Sequence, residues 1–250
     1  MIGTIAGREF RTLFLSPLAW TLLAVVQVIV AYLFLAQLDR FQRLAPRLGA
    51  MEGAPGISDL VIAPTFANSA VVLLLVIPLM TMRLISGERV RGTLPLLLSA
   101  PVSMTRIVLG KYLGVLGFLA VMLGLILLMP LSLALGTTLD YGKLAAGALG
   151  LALMLASFAA AGLFMSSLTN QPTVAAVGSF GLLLLLWVLD WSGNLGDQVA
   201  AVVGYLSLLG HFEDLRKGLV TTTDLVYFAL FIALFLILAI RRLDADRLNG

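Results

Sequence analysis

The chain has 250 residues, 60% of them hydrophobic and 12% charged, with a mean hydropathy of +1.07; this excludes a soluble globular domain and places it among polytopic helical membrane proteins. A net charge of +3 and a sequence pI near 9.5 do not point to nucleic acid, because the Lys and Arg residues cluster at predicted helix ends instead of forming a stripe. The absence of Cys excludes disulfides and thiolate metal sites, and a single His, His211, argues against a His-cluster metal site.

Residues 1–16 place Ile2, Ile5, Ala6, Leu13 and Phe14 on one side of a helix and Thr4, Arg8, Arg11 and Thr12 on the other, which predicts an interfacial amphipathic helix. Arg8 and Arg11 ahead of an apolar run resemble a signal peptide, but the run from Pro17 to Gln37 exceeds an h-region of roughly 7–15 residues, so an uncleaved first span is expected. A bilayer core about 30 Å thick needs about 20 apolar residues in a helix. Six such runs occur, at approximately 17–37, 64–83, 107–135, 143–168, 173–190 and 223–240. The third exceeds the required length and contains Pro130, so its outer end is expected to kink, tilt or enter the headgroups.

Between the second and third spans, Gly87 to Gly114 carries a polar segment that lipid cannot accommodate. Glu88, Arg89 and Arg91 form a mixed-charge cluster ahead of Gly92, Thr93 is a candidate N-cap, and Leu94 to Ser99 read as a short apolar helix ended by Pro101. With the N-terminus inside, the inner segments hold ten Lys and Arg residues against six outside, so both termini and the Glu88 loop are expected in the cytoplasm.

Gly110 and Gly114 have the GxxxG spacing, and Ala156, Ala160 and Ser157, Ala161 repeat small residues at four-residue intervals, a pattern expected first of intrasubunit packing and second of a dimer contact. The apolar part of the stretch from Trp191 to Leu219 is too short to cross, and a re-entrant or interface-lying helical hairpin fits. His211, in its polar part beside Glu213 and Asp214, is expected to be solvated or at an interface, with no catalytic role. The spans carry essentially no charge at mid-depth, so an ion-coupling relay is not visible. Gly110-Lys111 is followed by Tyr112 and lacks the earlier Gly of a phosphate loop, so energy is expected from outside the chain.

Glu88, Gly92, Thr93, Leu97, Leu98, Pro101 and Gly110-Lys111 resemble the signature of permeases of the type-2 ATP-binding-cassette exporter family. Ile77 to Arg83 and Ser166 to Gln171 are similar to the gliding-motility-associated branch, whose relatives also serve copper-enzyme maturation. One departure is Pro95, where the family often has an acidic residue.

The resemblance implies an all-α polytopic fold with about six transmembrane helices, a single permease domain over 1–250 whose parts are an interfacial helix at 1–16, a cytoplasmic coupling loop at 84–106 and an outer re-entrant region at 191–222. It implies that Glu88, Arg89, Arg91, Gly92, Thr93, Leu94, Leu97, Leu98 and Pro101 engage a separate cytoplasmic ATPase that holds ATP and Mg, with neither catalysis nor a cofactor in this chain. Further implied partners are a second permease copy or a similar permease, an extracytoplasmic accessory subunit and membrane lipid, in the cytoplasmic (inner) membrane of a bacterium. The alternatives are a non-transporting scaffold of a motility or enzyme-maturation assembly, using the loop from Leu38 to Ala63, and an energy-independent channel.

Overall fold

The computed structural model describes residues 2–48, 56–93, 102–188 and 207–249. Among these the chain is helical throughout, without strands: α1 (Ile2–Leu15), α2 (Pro17–Leu48), α3 (Ala63–Thr81, preceded by a π-helical turn at Ser58–Ile62), α4 (Ser86–Val90), α5 (Met104–Ser132), α6 (Tyr141–Leu168), α7 (Pro172–Val188), α8 (Leu208–Arg216) and α9 (Thr222–Asn249). Five of these stretches are long and apolar enough to cross a membrane, and the shorter apolar α7 has 17 described residues. The protein is a polytopic helical membrane protein, and the helices coincide with the six apolar runs.

α6 is the centre of the bundle and packs against α3, α5, α7, α8 and α9. Its small residues allow this. At Gly162 an added Cβ would lie 2.2 Å from Thr81 Oγ1, at Gly147 2.6 Å from Phe66, and at Gly150 2.8 Å from Leu215, so each crossing brings backbone against side chain without room for a methyl group. Ser157, Ala160 and Ala161 are fully buried in the same helix. Outward faces of α2, α7 and α9 leave Val28, Val177, Leu185, Leu230 and Ile237 exposed, as is required of surfaces that lipid covers.

α1 has no fully buried residue, yet it packs tightly along the start of α5. The GxxxG pair is the reason: Cβ atoms at Gly110 and Gly114 would each sit 2.6 Å from Ile5 and Glu9, and one at Gly117 2.9 Å from Phe10. These small residues therefore serve a contact within the subunit. Phe14 packs against Phe118 with the rings tilted and their centroids 5.1 Å apart, and Trp20 Nε1 donates to the Phe14 carbonyl at 2.8 Å, which fixes the corner into α2.

Two helix ends, those of α2 and α9, lie well beyond the expected ones, whereas α5 with its closing turn ends at 135 as expected. α2 continues eleven residues past Gln37, because Phe34, Leu38 and Phe41 join Ile57 and Val61 in a small separate core and Asp39 pairs with Arg43 at 2.9 Å. α5 continues two residues past Pro130, whose ring is buried inside the helix, and then tightens into a 3-10 turn at Leu133–Leu135. α9 extends to Asn249, beyond the expected end at 240, and so carries Asp246 to the polar cluster at that end of the bundle. Of the expected re-entrant region, residues 191–206 lie outside the described residues, and the remainder contains α8, which rests on α6.

Candidate functional site

α3 stops at Thr81, and the chain turns into α4 with its backbone donors held from across the bundle. Ser166 Oγ, near the end of α6, accepts from the amides of Ile85 at 3.0 Å and Ser86 at 3.1 Å and donates to the Met82 carbonyl at 2.9 Å. One buried hydroxyl thus satisfies three groups of a turn that no helix serves. α4 closes with Gly92 at φ 67, the left-handed residue of a Schellman cap: Gly92 N donates to Arg89 O at 3.0 Å and Thr93 N to Glu88 O at 3.0 Å.

Within this short segment the charged side chains divide between inward and outward roles. Arg89 is turned inward: its guanidinium donates to Asn170 Oδ1 at 2.9 Å, to the Ser167 carbonyl at 2.8 Å and to the Asp246 carboxylate. Asp246 also pairs with Arg242 at 3.4 Å, so α4, the end of α6, the turn into α7 and the end of α9 share one ionic clamp. Glu88 accepts from Lys111 Nζ at 3.4 Å and from the Thr93 hydroxyl, while the same ammonium reaches Glu9 Oε2 at 3.1 Å. Lys111 is only 5% exposed, and this pairing with two carboxylates is what allows a charge to sit inside the start of α5. Val90, Arg91 and Gly92 are exposed.

The structure therefore brings Glu88, Arg89, Arg91, Gly92 and Thr93 together, whereas Leu94, Leu97, Leu98 and Pro101 lie outside the described residues. The lysine and carboxylates that anchor the segment, Lys111, Glu9 and Asp246, come from three other helices. Lys111 carried a sequence signal in the Gly-Lys pair, but neither Glu9 nor Asp246 could be matched to a partner by spacing. α1, α4, α9 and the end of α6 thus meet at one end of the bundle, which is the end where both terminal helices lie.

At the opposite end a second polar cluster forms. Lys143 reaches Asp59 at 2.7 Å, and His211 Nδ1 lies 2.6 Å from Asp224 Oδ1 while its ring stacks on Tyr227 at 4.0 Å. His211 is 8% exposed and Asp224 3%, which corrects the expectation of a solvated or interfacial histidine: α8 folds onto the first turn of α9 and buries the pair. Thr221 Oγ1 donates to the other Asp224 oxygen at 2.6 Å, so the carboxylate is engaged on both sides. Among the described residues no group of three or more His, Asp or Glu is placed to hold a metal ion.

The family model for ABC-2 family transporter proteins matches residues 3–248, and the chain belongs to that family. It is accordingly a membrane permease component of an ATP-binding-cassette transporter, a non-catalytic transmembrane subunit of a kind that works with an ATP-binding-cassette ATPase. No curated protein matches the chain.

Proposed function

We propose that this permease couples ATP hydrolysis on a separate cytoplasmic ATPase to export, or to mechanical transmission across the membrane, through the segment from Ser86 to Pro101. The observation that carries this reading is the way α4 is tied down. Ser166 and Arg89 attach it to the end of α6, Asn170 to the turn into α7, Asp246 to α9, and Glu88 to Lys111 and thereby to α1 and α5. A force applied to the exposed tip reaches the ends of several spans at once, as a rigid lever requires.

In this reading the residues divide by role. Arg89 and Glu88 fix the lever to the bundle, Gly92 and Thr93 set the bend, and Arg91 with Leu94, Leu97 and Leu98 meets a groove of the ATPase, with Pro101 ending the docking helix. ATP and Mg stay on that partner. Both termini are cytoplasmic, the membrane is the bacterial inner membrane, and a second copy or similar permease completes the path, because one six-span subunit forms half of a two-fold pore. Kinship with the gliding-motility and copper-enzyme-maturation branch, and an extracytoplasmic accessory subunit, belong to the same proposal.

The test is purification of the full chain from its native membrane under mild detergent. An ATP-binding-cassette ATPase is expected to co-purify, with the E88A/R91A double variant retaining less of it; a preparation that never carries an ATPase contradicts the reading.

A further inference from the structure

A cavity of about 200 Å³ opens between α1, the start of α2, the turn from α3 to α4 and the start of α5. Its lining is two-sided in chemistry. Arg8, Arg83, Arg91 and Lys111 face it with Glu9 and Glu88, so four cations meet two carboxylates. Both carboxylates are already engaged by Lys111, the one cation of the four that is buried, whereas Arg8 and Arg83 are exposed and their guanidiniums form no hydrogen bond or ion pair among the described residues. Leu18 and Leu79 complete the wall at 38% and 42% exposure, apolar side chains left open where α2 and α3 enter the membrane. A buried water needs about 10–15 Å³ of such space, so the cavity is large enough for a phosphate and several attached carbons.

We propose that this cavity binds the headgroup of an anionic phospholipid. The phosphate would sit between the guanidiniums of Arg8 and Arg83, whose planar donors suit a phosphate diester in two-point contact. The acyl chains would leave along Leu18 and Leu79 into the bilayer. Position supports the assignment as much as charge does, because the cavity lies where the amphipathic α1 meets the ends of α2, α3 and α5, the place at which spans would pass from hydrocarbon into headgroups. A free phosphate or phosphate monoester shares the same chemistry but gains nothing from the two leucines. The site requires no ATPase, and Arg8 and Arg83 are not residues of the proposed docking surface.

Delipidated full-length protein in detergent, incubated with phosphatidylglycerol or phosphatidylcholine and read by native mass spectrometry, tests the proposal. Wild type is expected to retain one phosphatidylglycerol in preference to phosphatidylcholine, R8A/R83A to lose that retention at least tenfold, R8K/R83K to keep part of it, and R43A, which removes an exposed arginine elsewhere, to match wild type. Equal thermal unfolding of wild type and R8A/R83A confirms that the loss is local. Retention unchanged in R8A/R83A, or equal binding of both lipids, overturns the proposal. Displacement of the lipid by millimolar inorganic phosphate or glycerol 3-phosphate assigns the site to a soluble anion and overturns the lipid source. If R8A/R83A keeps the lipid and loses the ATPase, the arginines serve a protein face and the proposal falls.

Discussion

Replacing Arg89 with Ala removes the hub of the ionic clamp without exposing a naked charge, because Asp246 keeps Arg242 at 3.4 Å. What is lost is a set of bonds from a side chain that is 13% exposed to a carboxylate that is 19% exposed, together with the acceptors Ser167 O at 2.8 Å and Asn170 Oδ1 at 2.9 Å. Charged hydrogen bonds contribute about 1.5–3 kcal/mol each when shielded, and Arg89 Nε is buried with no partner among the described residues, which offsets part of the gain. A net loss of about 2–4 kcal/mol follows, confined to the attachment of α4. Local opening should then rise by about 30- to 700-fold, at about 1.4 kcal/mol per factor of ten. Hydrogen exchange of the amides of Gly92 and Thr93, which donate to Arg89 O and Glu88 O, reads this directly. Arg89→Lys should fall between, since one ammonium cannot reach acceptors on α6, on the turn into α7 and on α9 together. Exchange at Gly92 and Thr93 that is unchanged in Arg89→Ala refutes the clamp and the lever built on it.

Ser166→Ala leaves the amides of Ile85 and Ser86 buried without an acceptor, so a cost of about 1–3 kcal/mol is expected, read as faster exchange at those two amides while the centre of α6 stays protected; equal protection in both proteins contradicts the turn described. Gly114→Leu places a side chain where even a Cβ comes within 2.6 Å of Glu9, and should pry α1 from α5 at a cost of about 1–3 kcal/mol, visible as protease cleavage within residues 2–15; an uncut variant means that α1 is held elsewhere. His211→Ala removes one partner of a carboxylate that is 3% exposed, and thermal unfolding in detergent should fall by an amount equivalent to about 1–3 kcal/mol, whereas an unchanged midpoint means that the pair does not form.

The apolar runs alone located the five spanning helices and the shorter α7 among the described residues, because a membrane demands about 20 consecutive apolar residues and few other constraints compete. The same simplicity hides contacts between segments. Nothing in the local pattern of Arg89 distinguishes it from Arg91, yet one guanidinium is folded onto Asp246, 157 positions away, and the other is exposed. The GxxxG pair announced a close approach but not its partner, since Gly110 and Gly114 would fit a helix from this chain or from another; only the fold places Ile5 and Glu9 over them. The burial of His211 is not legible locally because it depends on α8 folding back, and the carboxylate that meets it, Asp224, lies beyond an intervening turn, while Glu213 and Asp214 are nearer in sequence. The extension of α2 past Gln37 is hidden for a related reason: polar residues mark the end of a membrane span, not the end of a helix.

The coupling assignment rests most heavily on Leu97 and Leu98, whose apolar side chains follow the anchored segment in sequence and, in the proposed docking helix, would meet the ATPase. Burying one Leu is worth about 1.5–3 kcal/mol, so changing both to Asp removes at least several kcal/mol from an interface while leaving every described anchoring contact in place. Co-purification of the ATPase with the L97D/L98D variant, measured beside wild type at equal protein level, is expected to be nearly abolished, and ATP-dependent activity with it. Survival of both binding and activity in that variant would contradict the lever and favour a non-transporting scaffold.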